Sequence, residues 1–189
     1  MMARDEFLSK FETSALSDSG DRTKFDSGAV RDMHEGKGRC DLMPLDVIAD
    51  IFNSSSVIPK KDLDISYSSD DASYIFFNNL WLFKVTGDTC YLHRCLDSLF
   101  STFRESTTVY EPLLELAKHY ENGAIKYGEH NWEKGIPLHS FIDSAIRHYM
   151  KDKRGDKDEP HDVACIWNII GAIWTKQHKP ELDDFCSKE

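Results

Sequence analysis

Apolar residues recur every three or four positions through the second half of the chain, a spacing that predicts amphipathic helices. The first stripe follows Pro112 and ends at Gly128, the second stops near Gly155, and the third runs from a cap at Asp158 to Pro180. The pattern therefore predicts three consecutive C-terminal helices. Their apolar positions are Leu113, Leu116, Ala117, Tyr120, Ala124 and Tyr127; Leu138, Phe141, Ile142, Ala145, Ile146 and Tyr149; and Val163, Ile166, Trp167, Ile170, Ile173 and Trp174.

The chain before these helices follows other patterns. Residues 1–33 are rich in Ser, Asp, Thr and Gly, which predicts a flexible N-terminal arm. Residues 45–52 have the spacing of a short helix. Aromatic, β-favouring runs at residues 74–77 and 80–85 predict a small mixed or β-containing insertion at about 49–109, although residues 92–103 have helical spacing. The expected fold is mainly α: a helical bundle formed by residues 34–189 and interrupted by this insertion.

Composition excludes several classes of protein. The 189 residues are 40% hydrophobic and 12% aromatic, which is typical of a folded globular domain. Lys and Arg number 23 against 33 Asp and Glu, and the net charge of −10 disfavours binding to duplex nucleic acid. The charged N-terminus and the absence of a long apolar run predict a soluble, cytoplasmic protein without a membrane span. Five cysteines without a CxxC pair favour a reducing compartment over a disulfide framework.

Acidic and imidazole side chains fall on the inward faces or flanks of the three predicted helices. Antiparallel packing would let these groups converge, with Lys37, Lys126 and Arg147 available for an anion. Oxygen ligands together with basic residues indicate a Mg²⁺–phosphate site rather than a zinc site. Ordinary surface ion pairs and a helix start favoured by the dipole remain the alternative. The candidates are Glu115 on the first helix, Asp143 and His148 on the second, and Glu159, His161 and Asp162 on the third.

Two separate blocks of sequence resemble one known family. Residues 36–44 read GKGRCDLMP, similar to the GKxRxDLxP signature of the phage-associated dATP/dGTP diphosphohydrolase family. Further along, GAIKYG at 123–128, NWEKG at 131–135, DSAIRH at 143–148, PH at 160–161 and Asn168 resemble that family's second pattern in order and spacing. The resemblance covers residues 34–48 and 110–176.

The resemblance implies an enzyme similar to the all-α, MazG-like nucleotide pyrophosphohydrolases. Such a protein would hydrolyse a purine deoxynucleoside triphosphate to the monophosphate and pyrophosphate in the host cell cytoplasm, using Mg²⁺ or Mn²⁺, and would form a homo-oligomer by analogy. His148 and His161 are the expected catalytic residues. Glu115, Asp143, Glu159 and Asp162 are the expected metal ligands, and Lys37, Lys126, Asn131, Trp132 and Arg147 the expected nucleotide contacts, with Trp132 stacking on the base.

Two departures from the family pattern leave other functions open. Glu159 and Asp162 form an ExxD pair, but no ExxE partner precedes it at the usual spacing, and the insertion at about 49–109 separates blocks that normally adjoin. One alternative is a nucleotide-binding or host-interaction protein that does not cleave its ligand. Another is a structural phage protein whose helices pack only for stability.

Overall fold

The computed structural model describes residues 22–24, 26–32, 38–50, 69–102 and 110–186. They fall in two compact units, residues 1–35 and residues 36–189. In the first unit, strand β1 (Arg22–Lys24) pairs antiparallel with strand β2 (Val30–Asp32), and Thr23 lies opposite Arg31. Gly28 in the connection has a φ of +83°, which glycine adopts without steric cost. The predicted arm thus contains a short hairpin.

The second unit is helical throughout its described parts. A 3₁₀ turn (Cys40–Leu42) leads into a helical stretch at residues 45–50, which agrees with the short helix predicted there. Two further 3₁₀ turns lie at Asn131–Lys134 and Pro180–Leu182. The five α-helices are α1 (Ser69–Thr86), α2 (Cys90–Thr102), α3 (Tyr110–Tyr127), α4 (Leu138–Arg154) and α5 (His161–His178). The prediction of a mainly α fold with three C-terminal helices is confirmed.

The prediction of a mixed or β-containing insertion is wrong. Both aromatic runs, at residues 74–77 and 80–85, lie within α1. Phe76, Leu80 and Phe83 are buried at the i, i+4 and i+7 positions of one helix face. Burial of that face against other helices outweighs the weak β preference of aromatic residues, because such propensities depend on context.

Helices α1 and α2 are part of the core around α5. The Phe76 ring of α1 stacks on the Tyr149 ring of α4 with centroids 4.1 Å apart. Elsewhere on α4, Gly171 of α5 allows very close approach, since a Cβ added there would lie 2.4 Å from Cε1 of Phe141. Helix α5 is buried along most of its length, as expected for the central helix of a bundle. None of the described helices is long and apolar enough to cross a bilayer.

The structure confirms the predicted end of α4 but not the predicted start of α5. Gly155 ends α4 with a φ of +85° and donates its backbone N–H to the Asp152 carbonyl oxygen, which confirms the predicted stop. The predicted cap of α5 at Asp158 is wrong, because the helix begins at His161 after Pro160, and no side chain caps it. The Asp158 carboxylate is instead engaged by side chains of Lys151 and His161.

Candidate functional site

Two histidines and a glutamate meet where the end of α4 faces the start of α5. Nδ1 of His148 lies 3.0 Å from Nδ1 of His161, and Oε1 of Glu159 lies 3.4 Å and 3.3 Å from these two atoms. We call these three residues the His–Glu cluster. His148 comes from α4, His161 opens α5, and Glu159 lies in the short connection between the helices. The structure therefore brings together three of the residues that the sequence analysis named as site candidates.

Burial and a fixed partner hold His161 in one orientation. The residue is only 2% exposed, and its Nε2 lies 2.7 Å from Oδ1 of Asp158. A carboxylate only accepts hydrogen bonds, so Nε2 carries the proton that Asp158 binds. Lys151 and His161 together lower the pKa of Asp158 to about 2. Nδ1 of His161 is thereby left facing His148 and Glu159.

His119 of α3 is the third imidazole in this region, and its ring centroid lies 5.7 Å from that of Trp167. Burial lowers the pKa of His119, the charge of His148 lowers it further, and that of Glu159 raises it. Burial also lowers the pKa of His148, against the opposing charge of Glu159. Sequence reasoning assigned no role to His119. The signal available was its position one turn after Glu115 on a polar stripe of α3, which a solvated helix face would also show.

A cavity of about 430 Å³ lies beside His119. Its volume falls within the range of small-molecule sites in proteins, which are mostly apolar with a few polar groups. Tyr120, Trp132 and Trp167 supply aromatic walls, and His119 is shared with the region of the His–Glu cluster. The remaining lining residues are Leu42, Gly123, Ala124, Tyr127, Gly128, His130, Asn131 and Ile136.

Trp132 is buried in the wall of this cavity, and its indole Nε1 has no hydrogen-bond partner among the described residues. The Tyr120 and Trp174 rings contact it edge to face, with centroids at 6.0 Å and 4.8 Å. A buried donor without an acceptor is costly, so it is a feature that calls for an explanation. Because this nitrogen has almost no accessible surface, a ligand acceptor in the cavity could reach it only after a small movement of the wall.

The two sequence blocks of the family resemblance lie side by side. The backbone N–H of Arg39 donates to the Ala117 carbonyl oxygen at 3.0 Å, and its Nη1 lies 2.8 Å from Oε1 of Glu129. Leu42 is 1% exposed and lines the cavity. The first block therefore completes a wall of the cavity formed by the second. Lys37 lies outside the described residues.

The other predicted metal ligands lie apart from the His–Glu cluster. Glu115 forms an exposed ion pair with Lys118 at 2.7 Å, and Asp143 pairs with Arg147 one turn later on α4. Asp162 accepts a hydrogen bond from the backbone N–H of Val163 in the first turn of α5. Among the described residues, the groups of side chains close enough to share an ion include none of these three carboxylates.

The predicted nucleotide contacts divide between the cavity and the surface. Asn131 and Trp132 line the cavity, and Asn131 also accepts a hydrogen bond from Lys134 Nζ at 3.2 Å. Lys126 is exposed, with its Nζ 4.9 Å from the centroid of the Tyr127 ring. Arg147 is engaged by Asp143. The structure thus places two predicted contacts in the cavity wall and leaves two basic residues on the surface.

Comparison with known proteins agrees with the resemblance found in the sequence. Residues 103–185 match the family model described as dATP/dGTP diphosphohydrolase, N-terminal. The predicted resemblance to the dATP/dGTP diphosphohydrolase family is confirmed over these residues. We call residues 103–185 the diphosphohydrolase segment. No curated protein and no solved structure matches the chain.

The diphosphohydrolase segment contains the whole His–Glu cluster and nearly all of the cavity lining, with Leu42 as the exception. It does not include residues 34–48, where the first sequence block lies. The segment also spans α3, α4 and α5, the helices that supply the three histidines. The family name indicates an enzyme that acts on a nucleotide, and the residues suited to such chemistry lie within the matched part.

Proposed function

We propose that this protein hydrolyses a purine deoxynucleoside triphosphate, dATP or dGTP, to the monophosphate and pyrophosphate. The observation that carries the proposal is the aromatic cavity lined by His119, a residue whose pKa responds to the charges of His148 and Glu159 in the His–Glu cluster. One region is suited to a flat heterocycle and the other to proton transfer. Both lie in the diphosphohydrolase segment, whose family name supports the same chemistry.

The base would occupy the aromatic cavity. Stacking on an aromatic side chain contributes about 1–3 kcal/mol per base and tolerates different bases. Asn131 adds an amide that can donate and accept, and the Nε1–H of Trp132, without a partner among the described residues, would add a donor for a ring nitrogen or carbonyl oxygen if the wall moved slightly. The cavity volume of about 430 Å³ leaves room for a two-ring base, and the description of the matching family, dATP/dGTP diphosphohydrolase, motivates the proposed purine preference.

The triphosphate would extend from the cavity past His119 towards the His–Glu cluster. Water attacks the α-phosphorus, the P–O bond to the bridging oxygen breaks, and pyrophosphate leaves with the bond electrons. His148 or Glu159 takes the proton of the attacking water, because both are accessible and can accept it. Lys126 or Arg147 would bind phosphate oxygens if its side chain turned from its present partner.

The carboxylates expected to bind Mg²⁺ do not lie close enough together in this structure to share one ion. Of the four carboxylates proposed for it, only Glu159 belongs to a group that could share an ion among the described residues. Mg²⁺ commonly binds through substrate phosphates and keeps several waters. We therefore expect any Mg²⁺ requirement to reflect the Mg²⁺ complex of the substrate, and the steps above are assigned to protein side chains alone.

The proposal is tested by incubating the purified full-length chain with each dNTP and measuring phosphate with and without added inorganic pyrophosphatase. Phosphate that appears only with pyrophosphatase identifies pyrophosphate as the product. We expect release from dATP and dGTP and little from dCTP and dTTP. Intact dNTPs under Mg²⁺ and under Mn²⁺ would contradict the proposal. Tight dNTP binding by calorimetry in the same sample would then favour the non-catalytic nucleotide-binding alternative.

Two variants connect the activity to the site. Trp132→Phe keeps an aromatic ring but removes the N–H, so we expect a higher KM with little change in kcat. Trp81→Phe is the matched control, because Trp81 is 60% exposed on α1. His148→Gln should lower kcat by about 10²-fold or more, since a general base contributes that much. The control His178→Gln changes an exposed histidine at the other end of α5 and should keep full activity.

A further inference from the structure

We infer that His148, Glu159 and His161 form a binding site for a divalent transition-metal ion of the Zn²⁺, Fe²⁺, Co²⁺ and Mn²⁺ class. Two imidazole nitrogens and one carboxylate oxygen face one another in this cluster. This donor set differs from the all-oxygen set that the sequence predicts for Mg²⁺. The site shares His148 and Glu159 with the proposed hydrolysis, and its test measures metal binding without nucleotide, so the two proposals can fail separately.

The distances between the three ligand atoms fit a shared ion. They are 3.0 Å between the two nitrogens, and 3.3 Å and 3.4 Å from these nitrogens to the carboxylate oxygen. Ligands about 2.0–2.2 Å from one ion are separated by about 3.0 Å in octahedral geometry and about 3.4 Å in tetrahedral geometry. All three observed separations fall in this interval, so an ion can bind with little movement of the side chains.

The hydrogen-bonding arrangement also leaves a place for a cation. In neutral His161 the single proton lies on Nε2, which Asp158 binds, so Nδ1 presents a lone pair. That lone pair lies 3.3 Å from the Glu159 carboxylate, which likewise presents only lone pairs. Two facing acceptors in a half-buried site repel each other unless something bridges them. Either an N–H on Nδ1 of His148, which lies 3.0 Å from Nδ1 of His161 and 3.4 Å from Oε1 of Glu159, or a metal ion bound by all three groups can do so, and a metal titration distinguishes these two outcomes.

Asp158 has the position of an outer-shell partner. Metal-ligating histidines usually donate their second ring N–H to a carboxylate, which fixes the ring and increases the basicity of the ligand nitrogen. The 2.7 Å contact between His161 Nε2 and Asp158 has this form. Lys151 binds the other carboxylate oxygen of Asp158 at 3.0 Å and keeps it in place. The preferred ligand class follows from the donors, because imidazole favours transition ions whereas Mg²⁺ favours oxygen.

A competing group consists of Asp156, Asp158 and His161. Arg154 already pairs with Asp156, and Lys151 with Asp158, so binding an ion there would require both ion pairs to break. It would also use Nε2 of His161, which carries the proton donated to Asp158. The His–Glu cluster requires no such rearrangement and is therefore the site we propose.

The test is a Co²⁺ titration of the full-length chain after dialysis against EDTA, with no nucleotide present. We expect one Co²⁺ per chain and a visible ligand-field band from nitrogen and oxygen coordination. Zn²⁺ should displace Co²⁺, since Zn²⁺ binds such donors more tightly, and a large excess of Mg²⁺ should not. Absence of a stoichiometric Co²⁺ band would overturn the proposal and leave the N–H of His148 as the group that bridges His161 and Glu159.

Variants locate the ion. Glu159→Gln and His148→Gln change side chains that are not fully buried and should abolish the band while keeping a native far-UV circular dichroism spectrum. Asp158→Asn should weaken Co²⁺ binding by about 10- to 100-fold, as loss of an outer-shell partner does. The matched control is His139→Gln, because His139 also pairs with a carboxylate, that of Asp184, but has an exposed position. It should bind Co²⁺ normally.

The competing group has its own variant. Asp156→Asn should leave the Co²⁺ band unchanged if the ion is bound by the His–Glu cluster. Loss of the band in Asp156→Asn together with its retention in Glu159→Gln would assign the ion to the competing group and overturn the proposal. Since no nucleotide is used, a failure of hydrolysis would not affect the result, and a failure of Co²⁺ binding would not affect the hydrolysis assay.

Discussion

The backbone N–H of Gly38 donates to Oε2 of Glu121 at 2.9 Å, although 83 positions separate the two residues in the chain. Glu121 is 6% exposed, so this carboxylate is a buried acceptor on α3. The hydrogen bond between Arg39 N and the Ala117 carbonyl oxygen lies next to it. These contacts attach the first family block to α3 and thereby position Leu42 in the cavity wall.

Gly38→Ala should destabilise the protein more than the same change at Gly128. Both glycines have a φ of +89°, where an added Cβ is strained, but only Gly38 is crowded, with Ala117 Cβ and Lys118 N at 2.9 Å. We expect a loss of about 1–2 kcal/mol in the free energy of unfolding for Gly128→Ala from backbone strain. Gly38→Ala should lose about 1–3 kcal/mol more from overpacking.

Urea unfolding of the two variants beside the wild type measures this difference. Equal losses for Gly38→Ala and Gly128→Ala would contradict the close packing of the first block on α3. A larger loss at Gly38 would also predict weaker nucleotide binding, because Leu42 lies four residues further along the same segment.

The sequence predicts a helix correctly where the spacing of its apolar residues matches the face that the helix buries. Helix α4 and its end at Gly155 follow from an apolar stripe and a glycine stop, both local signals. Helix α1 does not follow from local signals, because its aromatic residues favour a β-strand. Burial of Phe76 and Phe83 against neighbouring helices overrides that preference. Local pattern cannot show which neighbours a segment will meet.

The site residues likewise fall into those that the sequence predicts correctly and those whose partners it does not predict. His148 and His161 could be proposed from the sequence because the family pattern contains them. Glu115 and Asp143 satisfied the same helical spacing, yet each pairs with a basic residue within one turn of its own helix. The sequence predicts a helix cap at Asp158, whereas the short turn before Pro160 directs its carboxylate to His161. Helical spacing gives a face of a helix, but not the partner opposite that face.

Gly171→Ala should destabilise the contact between α4 and α5. A Cβ at Gly171 would lie 2.4 Å from Cε1 of Phe141, which is inside the contact distance of two carbons. We expect a loss of about 1–3 kcal/mol. Gly123→Ala is the control, because Gly123 is also helical, but nothing lies within 4 Å of its added Cβ. That change should be stabilising by up to about 1 kcal/mol from helix propensity. Thermal unfolding that moves both variants in the same direction would contradict this packing.

Asp143→Asn should have little effect on stability. The side chains of Asp143 and Arg147 are 69% and 51% exposed, and such i, i+4 pairs contribute about 0.3–0.5 kcal/mol. Chemical unfolding at low and high salt measures this contribution, which salt should reduce. Because Asp143 lies outside the His–Glu cluster, Asp143→Asn should also keep the Co²⁺ band described above. Loss of that band would show that Asp143 is a ligand of the ion.

Thiol labelling should separate the five cysteines into classes. Cys40 and Cys90 are exposed, whereas Cys95 and Cys165 are buried, and burial raises the pKa of both buried thiols far above the usual range. Burial also raises the pKa of Cys186 to about 11. Since the thiolate is the reactive form, we expect Ellman's reagent to label the two exposed thiols first and the two buried ones only in denaturant. Mass mapping of the labelled peptides identifies the sites. Early labelling of Cys95 would show that α2 opens from the core.

Acidification should destabilise the protein through His93 of α2. Burial lowers the pKa of His93, although Asp50 and Asp88 oppose the shift, and its Nδ1 has no hydrogen-bond partner among the described residues. The unfolded chain therefore binds a proton at His93 more readily than the folded chain does. The contribution of neutral His93 to stability is present above its ordinary pKa of about 6.5 and is lost as pH falls through the lower folded pKa.

His93→Leu should reduce this pH dependence, since leucine fills a similar space and does not titrate. We expect the wild type to lose more stability than His93→Leu between about pH 7 and about pH 5, the range in which histidines titrate. Urea unfolding at a series of pH values measures the slopes. His139→Gln, at an exposed position, is the control and should keep the wild-type slope. Parallel slopes for wild type and His93→Leu would show that His93 is not the source of the acid sensitivity, and would direct attention to His119, whose pKa burial also lowers.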